Sequence, residues 1–237
     1  MRDLIIERAG AMGLALPPDA AGKLAAYHDM LIRANAVMNL TRVPDDPDEA
    51  IDRNYLDALT PLSAGALPEG VRSLCDVGSG AGLPGIPLVI ALPDVRVTMI
   101  DSLGKRVRFI DSVIAELGLN AECLHARAED AGRDPRLRDA FDVVTARAVA
   151  ALPVLIELCA PLIRPGGRMI AYKGPSLQEE LARSDRAIKA LNCCDPAALD
   201  APIPGRDWAH TLFILRKKGP TPRAYPRKAG EAARSPL

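Results

Sequence analysis

The spacing of hydrophobic positions changes twice along the chain. From the N-terminus to about residue 65 they recur at helical intervals. Pro17-Pro18 opens a segment running through Asn35 in which Leu24, Tyr27, Leu31 and Ile32 share a face. Ile51, Tyr55 and Leu59 mark a further helix, with Asp46-Pro47 as its cap and first-turn pair. Such helices carry an apolar stripe that needs a partner surface. From about 71 to 217, short apolar runs alternate with helical periods, the signature of a mostly parallel sheet with crossover helices. Strands are predicted at Ser73–Val77, Val95–Ile100, Ala121–Leu124, Phe141–Ala146, Gly167–Tyr172 and Thr211–Arg216. Helices are predicted near 84–92, 104–117, 150–162 and 176–190, and Pro165-Gly166-Gly167 is expected to be a turn between a helix and a strand. After Gly219 the periodicity ends. The chain thus divides into a helical cap (1–65), an α/β domain (66–218) and an extended, flexible tail (219–237).

Composition narrows the functional classes. Lys plus Arg equal Asp plus Glu at 30 each, so affinity for nucleic acid has to come from a local patch. The tail is one: from Arg216 onward seven basic residues face the single acid Glu231, a local charge of +6. It reads equally as a solubilising tail or as a phosphate-binding arm through Arg227 and Lys228. Three Phe, four Tyr and one Trp are too few for an extended platform of stacking aromatics. The five cysteines form no CxxC pair and the three histidines are scattered, so neither a metal site nor a disulfide framework is expected. With no apolar run of membrane-spanning length and no secretory signal, the sequence reads as cytoplasmic, without a membrane partner.

The strongest local signal is Cys75-Asp76-Val77-Gly78-Ser79-Gly80-Ala81-Gly82-Leu83-Pro84, where a strand passes into a helix. Glycines there permit positive φ and close approach of a ligand to the backbone. Dinucleotide-binding folds place a similar loop at this point. Two details favour S-adenosyl-L-methionine instead. The glycines fall as GxGxG, and Asp76 stands two residues before the first of them. A carboxylate there would repel a diphosphate but suits a ligand carrying an ammonium and a sulfonium. Asp101, at the end of the second strand, is placed to bind a ribose diol and suits either cofactor.

The run Asp76-Val77-Gly78-Ser79-Gly80-Ala81-Gly82-Leu83-Pro84-Gly85-Ile86-Pro87, followed by Asp101-Ser102-Leu103-Gly104-Lys105-Arg106, closely resembles the ribosomal RNA small subunit methyltransferase G family, also called glucose-inhibited division protein B. Asn35-Ala36-Val37-Met38-Asn39-Leu40-Thr41 resembles its WNxxxNLT segment, and Arg53-Asn54-Tyr55-Leu56-Asp57-Ala58-Leu59 its RHxxDSL segment. Thr145-Ala146-Arg147-Ala148, Tyr172-Lys173-Gly174 and Pro222–Gly230 are similar to its SRA, KG and YPRKPG elements. Ala34, Asn54 and Ala229 depart from the pattern. The resemblance implies a seven-stranded, Rossmann-like, S-adenosylmethionine-dependent methyltransferase sheet under an N-terminal helical cap. It further implies methylation of guanine N7 in the 530 loop of 16S rRNA, with the rRNA or the small ribosomal subunit as partner.

By that resemblance Gly78 and Leu83 line the methionine end of the donor, Asp101 its ribose, and Ala128-Glu129 its adenine, with Asp76, Gly80 and Gly82 shaping the loop. Arg147 is expected at the end of the fourth strand, where ligands gather in open α/β sheets, to meet the donor, the guanine or both. Lys173 ends the next strand and is the second candidate for the base or a phosphate, and Asn39 is a candidate reaching in from the cap. Lys105, Arg106 and Arg108 sit where their charge opposes a helix dipole, which makes RNA phosphate a plausible compensating partner. Guanine N7 carries a lone pair and no proton, so its methylation needs no general base. A monomer is expected. Alternatives are a methyltransferase of another RNA, of protein or of a small molecule, a nicotinamide-dependent oxidoreductase, and a non-catalytic RNA-binding protein with an empty cofactor fold.

Overall fold

The computed structural model describes all 237 residues. The first quarter is helical: α1 (Arg2–Ala11), α2 (Ala20–Met38), α3 (Pro47–Ile51), a single π turn over Asp52–Leu56, and α4 (Asp57–Ser63). Helix α2 buries Ala20, Leu24, Tyr27 and Leu31, the expected stripe, while Ile32 faces solvent. It stops at Asn39, whose backbone is left-handed (φ 48°), and the Asn35 side chain accepts the N–H groups of Leu40 (2.7 Å) and Thr41 (3.0 Å). Asp46 caps α3 by accepting the Glu49 N–H at 2.7 Å, with Pro47 in its first turn.

The α/β portion runs β1 (Ser73–Val77), α5 (Gly85–Ala91), β2 (Arg96–Asp101), α6 (Gly104–Leu117), β3 (Ala121–His125), α7 (Ala128–Ala131), β4 (Phe141–Arg147), α8 (Leu152–Cys159), β5 (Ile163–Lys173), α9 (Leu177–Ala182), α10 (Asp185–Ala190), β6 (Cys193–Asp200) and β7 (Thr211–Lys217). A last turn of helix, α11, covers Glu231–Arg234. The seven strands lie in the order β3-β2-β1-β4-β5-β7-β6. β1 to β5 are parallel, and β7 runs antiparallel to both neighbours. The order reverses between β1 and β4, the crevice where open α/β sheets bind ligands.

Alternation along the strands sorts side chains into two cores. Leu74, Val97, Met99, Val143, Ile170 and Leu212 face the helical cap. Val77, Ile100, Val144, Ala146, Met169 and Phe213 face α8 and α10. Ile5, Leu24, Tyr27, Leu31, Tyr55 and Leu59 belong to the first of these cores, so the cap and sheet are folded around one interior.

Four expectations need revision. Pro165-Gly166-Gly167 is no turn between elements: β5 begins at Ile163 and carries these residues as a bulge opposite Phe141–Val143. Gly166 takes φ +86°, and a Cβ on Gly167 would stand 2.7 Å from the Asp142 carbonyl. The helices predicted at 150–162 and 176–190 are each interrupted. The first tightens into a 3-10 turn at Ala160–Leu162, and the second breaks at Ser184 between α9 and α10. A strand not individually predicted, β6, closes the sheet edge; Asp195-Pro196 breaks its pattern, and the ladder shifts register between Cys194 and Ala197, the bulge that tolerates proline on an edge strand.

The fourth revision concerns the tail, which is fastened to the domain. Arg138 donates to the carbonyls of Thr221, Pro222 and Tyr225, and Arg133 to that of Pro226. Arg227 forms a forked ion pair with the buried Glu157. Lys217 is wholly buried, its Nζ donating to Thr221 Oγ1 at 2.7 Å. Apolar periodicity could not reveal this, because arginine–carbonyl hydrogen bonds secure the segment in place of a hydrophobic stripe.

Candidate active site

Two pockets adjoin at the C-terminal ends of the parallel strands, with Ala148 on the wall common to both. The first, about 390 Å³, lies between the loop after β1, the end of β2 and α7; Gly78, Asp101, Ala128 and Glu129 line it. The second, about 340 Å³, lies beyond β4 and is lined by Asp57, Arg147, Tyr172, Lys173, Glu180 and His210.

The first pocket is shaped by backbone. Gly78 and Ser79 donate their N–H groups to the Ile100 carbonyl (2.8 and 3.1 Å), which ties the loop to the end of β2. Gly78 has φ +71°, and a Cβ there would lie 2.7 Å from Val149 Cγ2, so glycine is required for both conformation and space. At Gly82 (φ +95°) a Cβ would meet Ile86 at 2.6 Å. The cap reaches this loop through the Tyr27 hydroxyl, which donates to the Ala81 carbonyl at 2.7 Å. Asp101 accepts from Leu103 N–H (2.9 Å), from Gly80 N–H (2.8 Å) and from Arg106 at 3.4 Å. A carboxylate offers about four lone-pair sites, so capacity for a hydroxyl partner remains.

Asp76 does not face this pocket. It is fully buried and turned into the fold, accepting from Gly85 N–H (3.1 Å) and the Thr145 hydroxyl (3.1 Å). Burial pushes its carboxyl up to about 6, against the opposing hydrogen bonds of Ser79, Thr145 and Gly85. It braces the turn from β1 into α5 and is not brought onto the pocket wall with Gly78 and Asp101. Gly80, Gly82 and Leu83 likewise shape the loop from behind, and none of the three lines the pocket.

The second pocket is shaped by ion pairs. Arg147, at the end of β4, donates through Nη1 to Asp57 Oδ2 (2.8 Å) and to the Arg53 carbonyl (2.9 Å). Its Nε and Nη2 carry no hydrogen bond. The other oxygen of Asp57 lies 2.9 Å from His210 Nδ1. Burial works to raise the Asp57 carboxyl, but His210 and Arg147 outweigh it and hold the group below the usual range. Lys173 is mostly buried and donates to Glu180 Oε2 (2.5 Å) and to the Ala150 carbonyl (3.2 Å). Arg147 and Lys173 thus share one pocket, as their strand-end positions suggested. Asn39 does not join them: its side chain is exposed at the end of α2 and makes no hydrogen bond.

The basic residues divide. Arg106 turns inward to Asp101, while Lys105 and Arg108 stay exposed. With Arg33, Met30 and Met38 they line a groove of about 420 Å³ between α2 and α6, and Lys105 donates to the Met38 carbonyl at 2.9 Å. In the tail Arg227 is consumed by Glu157, and Lys228 is exposed. Asp57 and His210 were missed by sequence reasoning. Asp57 lay inside a matched segment without a role. His210 sits in an irregular stretch before β7 with no periodic signal.

Residues 20–197 match the family model described as rRNA small subunit methyltransferase G. Ribosomal RNA small subunit methyltransferase G of Lactobacillus johnsonii is 41% identical over 95% of this chain and 95% of its own. That of Desulfitobacterium hafniense is 43% identical, covering 95% and 93%. The chain belongs to the ribosomal RNA small subunit methyltransferase G family. As a member it is an S-adenosylmethionine-dependent methyltransferase. Solved structures agree on the fold: an O-methyltransferase from Bacillus cereus in complex with SAH superposes with a TM-score of 0.57 at 16% identity, covering 92% of this chain and all of that one.

The first pocket fits the methyl donor of this rRNA methyltransferase G chain. The glycine cradle admits a ligand against backbone where a Cβ would intrude. Asp101 and Glu129 present oxygens suited to hydroxyl and amino groups, and of the two arginines on the wall, Arg106 and Arg127, the first is turned onto Asp101. Bound there, the donor would supply an electrophilic methyl on sulfonium. The protein's part is to hold that methyl in line with an acceptor and to keep water out.

Proposed function

We propose that the protein methylates N7 of a guanine in the 530 loop of 16S rRNA, and that the second pocket receives that base. The observation that supports this most is Arg147. It is held through Nη1 alone, on the wall beside the donor pocket, with Nε and Nη2 left to hydrogen-bond a ligand. A donor aimed at guanine O6 fixes the base while leaving N7 free, since N7 and O6 are both acceptors on that edge. The acceptor carries no proton at N7, so no residue has to act as a base. Asp57 positions Arg147, and Glu180 with the Ala150 carbonyl holds Lys173, whose ammonium keeps a third donor for the base. Lys105, Arg108 and Lys228 are exposed and form no ion pair, which suits them to RNA phosphate, with the groove between α2 and α6 as a track beside the site. The enzyme acts in this reading as a cytoplasmic monomer that needs no metal.

The test is transfer of labelled methyl to 16S rRNA or to small subunits from cells lacking this gene, followed by mapping of the label. Label on one guanine at N7, abolished in Arg147→Ala, is expected. Donor binding without transfer to ribosomal RNA in any form would refute the assignment and point to another RNA or to protein.

A further inference from the structure

The pocket at the ends of β1 and β2 has a wall that no loop of the sheet supplies. Gly230 and Ala233, from the last turn of the chain, line it together with Glu129, Val149 and Leu158. Gly230 N–H donates to Glu129 Oε1 at 2.9 Å, so the tail is attached to a residue of the pocket itself. The attachment is reinforced just outside. Arg227 makes its forked pair with Glu157, a carboxylate only 1% exposed, and its Nη2 also donates to the Ser235 carbonyl at 2.9 Å. One guanidinium therefore closes the loop 227–235 on itself and anchors it to α8. Ala232 is buried against Val154 and Leu158, which seats the turn, while the adjacent Ala233 is exposed at the pocket.

We propose that the turn Gly230–Ala233 is part of the methyl-donor site and closes it over the adenine. The chemistry of the walls fits that ligand. Ala126, Ala128, Val149, Leu158 and Ala233 give small apolar surfaces that a flat purine fills by van der Waals contact. Asp101 lines the same pocket, where the ribose diol would meet a carboxylate. Glu129 is steadied by the Gly230 N–H, and Glu157 acts as a positioning residue through Arg227. The inference rests on this pocket being the donor site.

The experiment is calorimetric titration of the full chain with S-adenosylmethionine and with S-adenosylhomocysteine, in the absence of RNA. Ala233→Phe places a ring at an exposed position of the wall, where it projects into the pocket without disturbing the core. It is expected to weaken both ligands by about tenfold or more, with an unchanged melting temperature for the ligand-free protein. Ala224→Phe, exposed on the same tail but away from the pocket, is the control and should bind as the parent does. Glu157→Gln should weaken binding less than Ala233→Phe, because the strap loses its anchor and keeps its own surface. A folded Ala233→Phe that binds both ligands within about twofold of the parent would overturn the proposal. Failure of the parent chain to bind either ligand would instead strike down the reading of the pocket, and the inference with it.

Discussion

The two pockets of the active site are neighbours built from different materials. The pocket that fits the donor is set by backbone: glycines without room for a Cβ, carbonyls that accept loop N–H groups, and a carboxylate already hydrogen-bonded to main chain. The pocket proposed for the acceptor is set by charged side chains in pairs, Arg147 with Asp57 and Lys173 with Glu180. Backbone geometry tolerates almost no substitution but is indifferent to pH. Paired side chains tolerate substitution in degrees and respond to acid. A donor common to many reactions suits the first construction, and the particular acceptor suits the second.

Substitutions can test that contrast. The largest effect is expected at Gly78. Gly78→Val forces a branched residue into φ +71° and against Val149, strain worth about 1–3 kcal/mol before the clash is counted. Donor affinity measured by calorimetry should fall by about 100-fold or more, while RNA binding measured by filter retention should persist. Loss of both together would mean that the loop also shapes the acceptor side. Next comes Asp57→Asn, which leaves Arg147 half-buried without its carboxylate. Stability should drop by about 3 kcal/mol, and kcat for methyl transfer should fall at least about tenfold with donor Kd unchanged. A lowered donor affinity would show the two pockets to be one unit.

Smaller effects come from titration. The Asp57 carboxyl is held below its ordinary value in the folded protein, so its contribution to stability is present above the unfolded value and is lost as pH falls through the folded one. Asp76 has the opposite sign. Its folded value near 6 lies above the ordinary 3.8, so its contribution is present in acid and is lost as pH rises toward 6. Asp76→Asn should therefore gain thermal stability relative to the parent between pH 4 and 7, by no more than about 3 kcal/mol. A difference that stays flat across that range would place the titration elsewhere. The smallest effects are expected at the RNA groove. Lys105→Ala and Arg108→Ala should each weaken RNA binding a few-fold and reduce the slope of log affinity against log salt by about 1. An unchanged slope would remove those residues from the interface.

The alternation of apolar runs disclosed the parallel strands and helix α6 because each obeys a single period and ends at a strong punctuator, such as Gly118 after α6. It failed where hydrogen bonds to charged side chains replaced packing. The tail is secured by Arg133, Arg138 and Arg227, residues that read as solvated charge in a linear sequence. Strand-end position put Arg147 and Lys173 in one pocket. The glycine pattern located the loop but not the direction of Asp76, since a carboxylate two residues before a glycine can turn to either face of the sheet. Asp57 and His210 came from distant segments that only the folded sheet edge brings together.

Tyr27, Leu31 and Tyr55 share an interior with Val97, Ile110, Val143, Ile170 and Leu212. A ribosome delivers these residues in that order, so the N-terminal helices emerge with their apolar side uncovered and gain the last of their neighbours only when nearly the whole chain has been made. Until then the hydroxyl that will hold the donor loop has nothing to hold. The nascent N-terminal segment therefore carries uncovered apolar surface through most of synthesis, the kind of surface that chaperones shield.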